Sequence, residues 1–264
     1  MTRTAIVLLA LLAALPAAAN ELAADLAPTG TLRVTFIGRN PVQGTIDART
    51  GEARGPAAEI ARMIAGKVGI PVTIAGVANG PAVIESVKSG AADIGFVAFD
   101  PVRAAEVDFA QAYSLVQNAY AVKQDSPIRV SADADKPGVR IGVGERDAGD
   151  FFLTRTLKHA ALKRNSSGSS DAAMKMLTSG EVDVYGGNRQ RMTEAVARTP
   201  GLRLLADSFY AIEQAIVVRK GEAARLAIVN RFIDEARASG LTAGAIARAG
   251  LAGVEVATGG PRTQ

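Results

Sequence analysis

The chain has no Cys, no Trp and a single His, His159, and only 5% of its residues are aromatic. Without Cys there are no disulfide frameworks, thiolate nucleophiles, Cys-ligated zinc sites or iron–sulfur clusters. One imidazole is too few for a His-rich metal site, and a Ser–His–Asp triad would have to use His159. Long apolar runs are scarce as well. The run from Ala5 to Leu15 is about half of the roughly 20 residues that a membrane span needs, and no later stretch reaches that length. No concentrated basic stripe with interleaved aromatics is present, which argues against nucleic acid as a partner. The formal charge of +4 is a mild excess spread along the chain.

What is present is ordinary globular material: 264 residues, 48% hydrophobic and 21% charged, with 27 Gly and 11 Pro. This composition excludes wholesale disorder, collagen-like repeats and coiled coil, and the length allows one or two domains. The first nineteen residues differ from the rest. A basic start (Arg3), the apolar run and a small-residue exit (Ala17-Ala18-Ala19) predict a secretory signal peptide over 1–19, cleaved after Ala19. With no Cys to carry a lipid, the expected product is a free protein of the periplasm.

The remaining pattern alternates strands and helices. Leu32–Ile37 is rich in β-branched residues, and Gly38 to Gly55 reads as a long connection. Pro56 opens a helix with Ile60, Met63, Ile64 and Val68 at helical spacing, stopped by Gly69. Strand Val72–Ala75, a helix from Pro81 to Gly90 and a buried strand Asp93–Phe99 complete a β-α-β-α-β order, which implies a parallel sheet. A similar order returns with strand Val139–Val143, a helix from Gly149 to His159, a Ser/Gly loop (Asn165–Ser170), a helix capped by Asp171, strand Val182–Tyr185, helix Arg189–Ala197 and strand Leu202–Leu205. Ser114–Val122 and Ile212–Val218 are extended and apolar, and bracket this second set. Glu222–Gly250 is mostly helical, with Leu226, Val229, Phe232 and Ile233 on one face, and is expected to pack on the first set. Gly142-Val143-Gly144 opens like a dinucleotide fingerprint, but the third Gly, Gly149, comes two positions too late for the usual spacing.

Several segments, in this order, resemble the family 3 solute-binding proteins of ABC importers. Gly55-Pro56-Ala57-Ala58-Glu59-Ile60-Ala61 is similar to that family's Gly-Phe-Asp-(Val/Ile)-Asp-Leu-Ala run. Val87-Lys88-Ser89-Gly90-Ala91-Ala92-Asp93 resembles its Leu-x-(Ser/Ala)-Gly-x-x-Asp signature, and downstream Gly142-Val143, Ser179-Gly180-Glu181-Val182-Asp183 and Val218-Arg219-Lys220-Gly221 also fit the family. Asp100-Pro101-Val102-Arg103 through Phe109, with Tyr113 beyond, resembles Thr-x-x-Arg-x-x-x-(Val/Ile)-x-Phe-Ser-x-Pro-Tyr. The resemblance implies an α/β, two-lobed periplasmic-binding-protein fold (type II), its lobes joined by two crossing strands. Lobe 1 is expected over 20–118 plus 211–264, and lobe 2 over 119–210.

The same resemblance implies a binding site. Arg103, just past a buried strand, occupies the position whose guanidinium clamps a ligand carboxylate, a task suited to its paired donors. The usual ammonium-binding Asp is replaced by Asn188, which puts a standard zwitterionic α-amino acid in doubt. Asp147 or Glu145 could compensate. Phe99 is read as a stacking wall or core. Arg39 and Asn40 stand where the family carries an aromatic, and Gln214 is a candidate polar contact. Arg189 and Arg191 are either cleft residues or ordinary charges of a helix face. His159 beside Lys158 reads as an exposed imidazole near a helix end.

The expected function is a periplasmic receptor that closes on a small anionic or zwitterionic solute and delivers it to an ABC permease in the inner membrane. It would act as a monomer, without cofactor, metal or catalysis. Two alternatives come from other classes. One is a dehydratase-type enzyme on the same fold, whose general acid would be Glu145, Asp147 or Glu213 with a raised pKa. The other is an accessory or sensor module built around a greasy cleft at Phe36, Phe96 and Phe99.

Overall fold

The computed structural model describes residues 21–260, so the expected signal peptide lies outside the described residues. A helix (α1) covers 21–26. The first β-α set runs β1 (Leu32–Ile37), β2 (Arg39–Asn40), β3 (Gly44–Ile46), β4 (Ala53–Arg54), α2 (Pro56–Val68), β5 (Val72–Val77), α3 (Gly80–Lys88), β6 (Ile94–Ala98) and α4 (Pro101–Ala104). The long strand β7 (Val107–Lys123) leads to β8 (Arg140–Gly144), α5 (Ala148–Thr156), β9 (Ala161–Asn165), α6 (Ser170–Ser179), β10 (Val184–Asn188), α7 (Arg189–Ala197) and β11 (Leu202–Leu204). Strand β12 (Tyr210–Arg219) returns to α8 (Ala223–Ala238), α9 (Leu241–Arg248) and β13 (Val254–Val256).

The main sheet has the order β5-β1-β6-β12-β7-β10-β8-β9. Strands β5, β1 and β6 are parallel, as are β10, β8 and β9, so each lobe is a small doubly wound unit. The antiparallel pair β7 and β12 is shared, with register from Val107↔Arg219 to Asn118↔Tyr210. At about 3.3 Å per residue, the 17-residue β7 runs roughly 55 Å and belongs to both lobes. Helix α8 packs Ile228, Val229, Phe232 and Ile233 into the first-lobe core with Phe36, Ile60 and Ile64. The second lobe has its own cores, one around Met174, Leu177 and Met192 and another around Ile141, Leu153 and Val184.

The repeated Ser-Gly-x-x-Asp run has one structural job in both lobes. Gly90 and Gly180 each take φ of +77°, ending the preceding helix and turning the chain into the next strand. The Asp that follows then accepts from the strand beside it. Asp93 takes the Arg33 backbone N–H at 2.8 Å and its guanidinium at 2.6 Å. Asp183 takes the Arg140 N–H at 2.9 Å and its guanidinium at 2.7 Å. The motif therefore ties the end of each helix to the neighbouring parallel strand.

Several local expectations are corrected. The connection at 38–55 folds into a three-stranded sheet, β2-β3-β4. β9 is an edge strand whose exposed Lys163 and Arg164 break the apolar alternation of a buried strand. Helix α6 is capped by Ser169, whose hydroxyl accepts from Ala172 N–H, and not by Asp171. Helix α5 stops at Thr156, so His159 lies beyond it, its amide donating to Asp135.

Candidate functional site

Between the lobes lies a cavity of about 80 Å³, room for roughly five to eight waters. It sits at the carboxyl ends of β6, β8 and β10, where open α/β sheets place ligands. The crossing strands close its floor with Val116, Asn118, Ile212 and Gln214.

Arg103 enters from the first lobe. Asp100 caps α4, its carboxylate accepting from Val102 N–H at 2.9 Å, and Pro101 supplies the first helical φ. One turn later Arg103 is 6% exposed and lines the cavity. Its Nη1 donates to Ala98 O at 2.8 Å, and its Nη2 donates across the cleft to Arg146 O at 3.1 Å. The guanidinium also lies 5.4 Å from the Phe151 ring centre. Gly80 makes room for it, since a Cβ there would fall 2.8 Å from Nη2. Two of the five N–H donors are thus used, leaving three for a ligand. Burial lowers its pKa, opposed by Asp147 and Asp100, and a guanidinium starting this high stays charged.

The second lobe contributes the starts of three helices. Asp147 is the N-cap of α5, followed by Ala148 and Gly149 in the cavity wall. Arg146 before it has φ of +59°, the one non-glycine in the left-handed region among the described residues, and this turn aims its carbonyl at Arg103. Helix α6 begins at the wall with Gly168, Ser169 and Ser170. The Ser/Gly loop ahead of it is held by Asn165, whose Oδ1 accepts from Ser167 and whose Nδ2 donates to Ser169 O and Tyr185 Oη. Helix α7 begins with Asn188, which accepts from Arg191 N–H at 2.8 Å. The first amides of each helix lack intrahelical acceptors, and the helix dipoles make this wall positive. Arg191 adds a full charge beside them.

The polar floor completes the site. Gln43, fully buried, accepts from Ile37 N–H and donates to Gln214 Oε1 at 2.9 Å. Asn118, 3% exposed, donates to Val116 O at 3.2 Å. Tyr185 is pushed up to about 12, chiefly by burial, so it is a neutral hydroxyl. Asp147 is the only carboxylate lining the cavity among the described residues. Burial raises its pKa, while Arg191 and Arg103 pull it down. The residue nonetheless stays exposed to solvent, which weakens that rise.

The lobes also touch around the cavity. Arg155 Nη1 on α5 meets Asp100 Oδ2 at 2.8 Å, and Asp100 is 2% exposed. Asn188 Nδ2 donates to Asn40 Oδ1 at 3.2 Å. Phe152 stacks on Tyr210 of the crossing strand, with ring centres 4.0 Å apart.

Of the residues singled out in the sequence, Arg103, Asn188, Asp147, Asn40 and Gln214 meet at this cavity, and Arg191 joins them. Two do not line it. Phe99 sits past the end of β6 and packs edge-on against Phe109, 5.1 Å away. Arg39 pairs with Thr45 in the small hairpin and is exposed, because strand alternation turns it outward where it turns Asn40 inward. Arg189 binds the carbonyls of Ala206 and Asp207 instead of facing the cavity. Glu145 and Glu213 do not line it either. Gln43, Asn118 and Tyr185 escape a reading of the sequence. The available hint was a polar residue in an otherwise apolar stretch, as at Asn118 before Ala119-Tyr120-Ala121-Val122.

Comparison with known proteins agrees with this architecture. The chain resembles the solved L-cysteine solute receptor of Neisseria gonorrhoeae, with 23% identity over 86% of this chain and 92% of that one and a TM-score of 0.71. An ancestral amino acid-binding protein described as a precursor of cyclohexadienyl dehydratase matches with 19% identity, 85% and 96% coverage and a TM-score of 0.70. A histidine kinase sensor domain similar to periplasmic binding proteins matches with 22% identity, 83% and 95% coverage and a TM-score of 0.69. At these identities the likeness is one of fold, and the neighbours share its two-lobed type II architecture. No curated protein matches significantly. The model of one family covers residues 32–248, from β1 to the end of α9, and the chain accordingly belongs to the bacterial extracellular solute-binding proteins, family 3.

Proposed function

We propose that this protein is a periplasmic receptor of an ABC importer that holds a small carboxylate-bearing solute between its lobes. The observation that carries this reading is the charge of the cavity wall. Arg103, Arg191 and the starts of α5, α6 and α7 all face one small space, against the single carboxylate of Asp147. Such a wall is rich in donors and poor in acceptors, which is what a carboxylate requires. Closure around the solute hides it from water and presents a joined surface of both lobes to a permease, with hinge bending at β7 and β12. The described residues include no helix long and apolar enough to cross a membrane. Calorimetry against amino acids and small organic acids tests the reading: micromolar binding of at least one carboxylate solute is expected, and a panel with none bound contradicts it.

A second reading has one observation in its favour. Asp147 lines the cavity beside Arg103 with its pKa raised, the direction a general acid needs, and one structural neighbour is described as the precursor of a dehydratase. An elimination that expels CO₂ together with the hydroxyl group needs an acid but no base. Asp147, the one carboxylate among the lining residues, is exposed to solvent beside two arginines that favour its ionised form. The receptor reading is therefore the better supported, and turnover of prephenate would reverse that order.

A further inference from the structure

The carboxylate of Asp147 makes no hydrogen bond and no ion pair within the described residues. Even the capping bond to its own helix, the ordinary role of an N-cap Asp, is not made. The side chain instead folds over Gly144, where an added Cβ would lie 2.3 Å from Oδ2. The charged and titratable groups facing it are Arg103 from α4, Arg191 from α7, Tyr185 from β10 and Asp150 from its own helix. Asp150 is already committed to Arg164, Thr154 and the Arg146 amide. Asp147 is thus an uncommitted acceptor in a wall of donors.

A solute carboxylate drawn to Arg103 and the helix starts arrives beside this second carboxylate. Two carboxylates sharing one site raise each other's pKa, and the conflict has two resolutions. Either the solute brings a donor next to its carboxylate, or a proton from solvent binds an Asp147 oxygen, whose O–H then donates to the solute. Resting on the carboxylate-receptor reading, we propose that Asp147 sorts solutes by the group beside their carboxylate. Those with an adjacent ammonium or hydroxyl bind to ionised Asp147, and those without one bind with uptake of one proton. Asp147 acts here as a specificity-determining residue. The raised pKa of Asp147 is consistent with this role.

Succinate, malate and aspartate share a four-carbon skeleton with two carboxylates and differ by H, OH or NH₃⁺ at one carbon. Calorimetry of all three at pH 8.0 and 6.5, in two buffers of different ionisation enthalpy, measures both affinity and proton uptake. Malate and aspartate should bind without proton uptake. Succinate should bind roughly tenfold more weakly at pH 8.0, take up about one proton, and tighten as pH falls. In Asp147→Asn the three should agree within about threefold, with no proton uptake. Equal binding of succinate and malate at pH 8.0, or sorting that survives in Asp147→Asn, overturns the assignment while leaving the receptor reading intact. Failure of all three to bind wild-type protein overturns the sorting by Asp147, and the receptor reading falls with it only if the wider panel of amino acids and organic acids also fails.

Discussion

Replacing Arg103 with Ala is expected to weaken solute binding by roughly 30- to 5,000-fold. Loss of one partner of a desolvated, hydrogen-bonded charge pair typically costs about 2–5 kcal/mol, which corresponds to that range of Kd. The size of the effect follows from the position. The guanidinium is buried, framed by Gly80 and the Phe151 ring, and fixed by bonds to Ala98 O and Arg146 O, so little ordering remains when a carboxylate arrives. Truncation also strands the Ala98 carbonyl, so Arg103→Lys is the matching variant. It keeps the charge and can still reach one carbonyl, but loses the fork. Calorimetry with thermal melting of both variants separates the effects. The Lys variant should melt near wild type and still bind at least tenfold more weakly, whereas unchanged affinity in both would remove the clamp.

The second large effect is expected away from the cavity. Arg155 and Asp100 do not line it, yet their 2.8 Å pair joins the lobes, with Asp100 almost fully buried and Arg155 still 42% exposed. In Arg155→Ala the buried carboxylate loses its partner, and swinging the lobes apart rehydrates it. The cost should therefore appear as opening and not as unfolding. A half-buried pair of this kind is worth about 1–3 kcal/mol, a 5- to 150-fold shift towards the open form. Solution X-ray scattering of the ligand-free variant should show a larger radius of gyration. Because affinity is reduced by the fraction of closed protein, Kd should rise by a similar factor. Asp100→Asn is a poorer test, since the amide oxygen can still accept from Arg155 or from the Val102 N–H. Wild-type scattering and wild-type affinity in Arg155→Ala would show that the pair does not hold the lobes together.

Most of the α/β frame could be read from the chain because its signals are local. Helix α2 announces itself with Pro56, its apolar spacing and Gly69 at φ of +75°, and helix α7 has the bounds expected from its pattern. β13 went unread because three residues carry too little pattern; it is defined only by pairing with Ser114–Val116 of β7. The small hairpin sheet was hidden in a Gly-rich connection, and Gln43 with it, since its contact with Gln214 spans 171 positions. At the site, Arg103 was visible through its motif and Asn188 through its place after β10. The uncommitted state of Asp147 was not. It depends on the left-handed turn at Arg146 and on the lack of a side chain at Gly144, neither of which the order of residues around Asp147 discloses.

A crystal structure of the protein with its tightest-binding carboxylate solute tests the central claim most directly. The account predicts the solute in the interlobe cavity, one carboxylate within hydrogen-bond distance of the free N–H groups of Arg103 and facing the helix starts, with Asp147 against its neighbouring group. A solute bound elsewhere, or in the cavity with Arg103 still bonded only to Ala98 and Arg146, would contradict it.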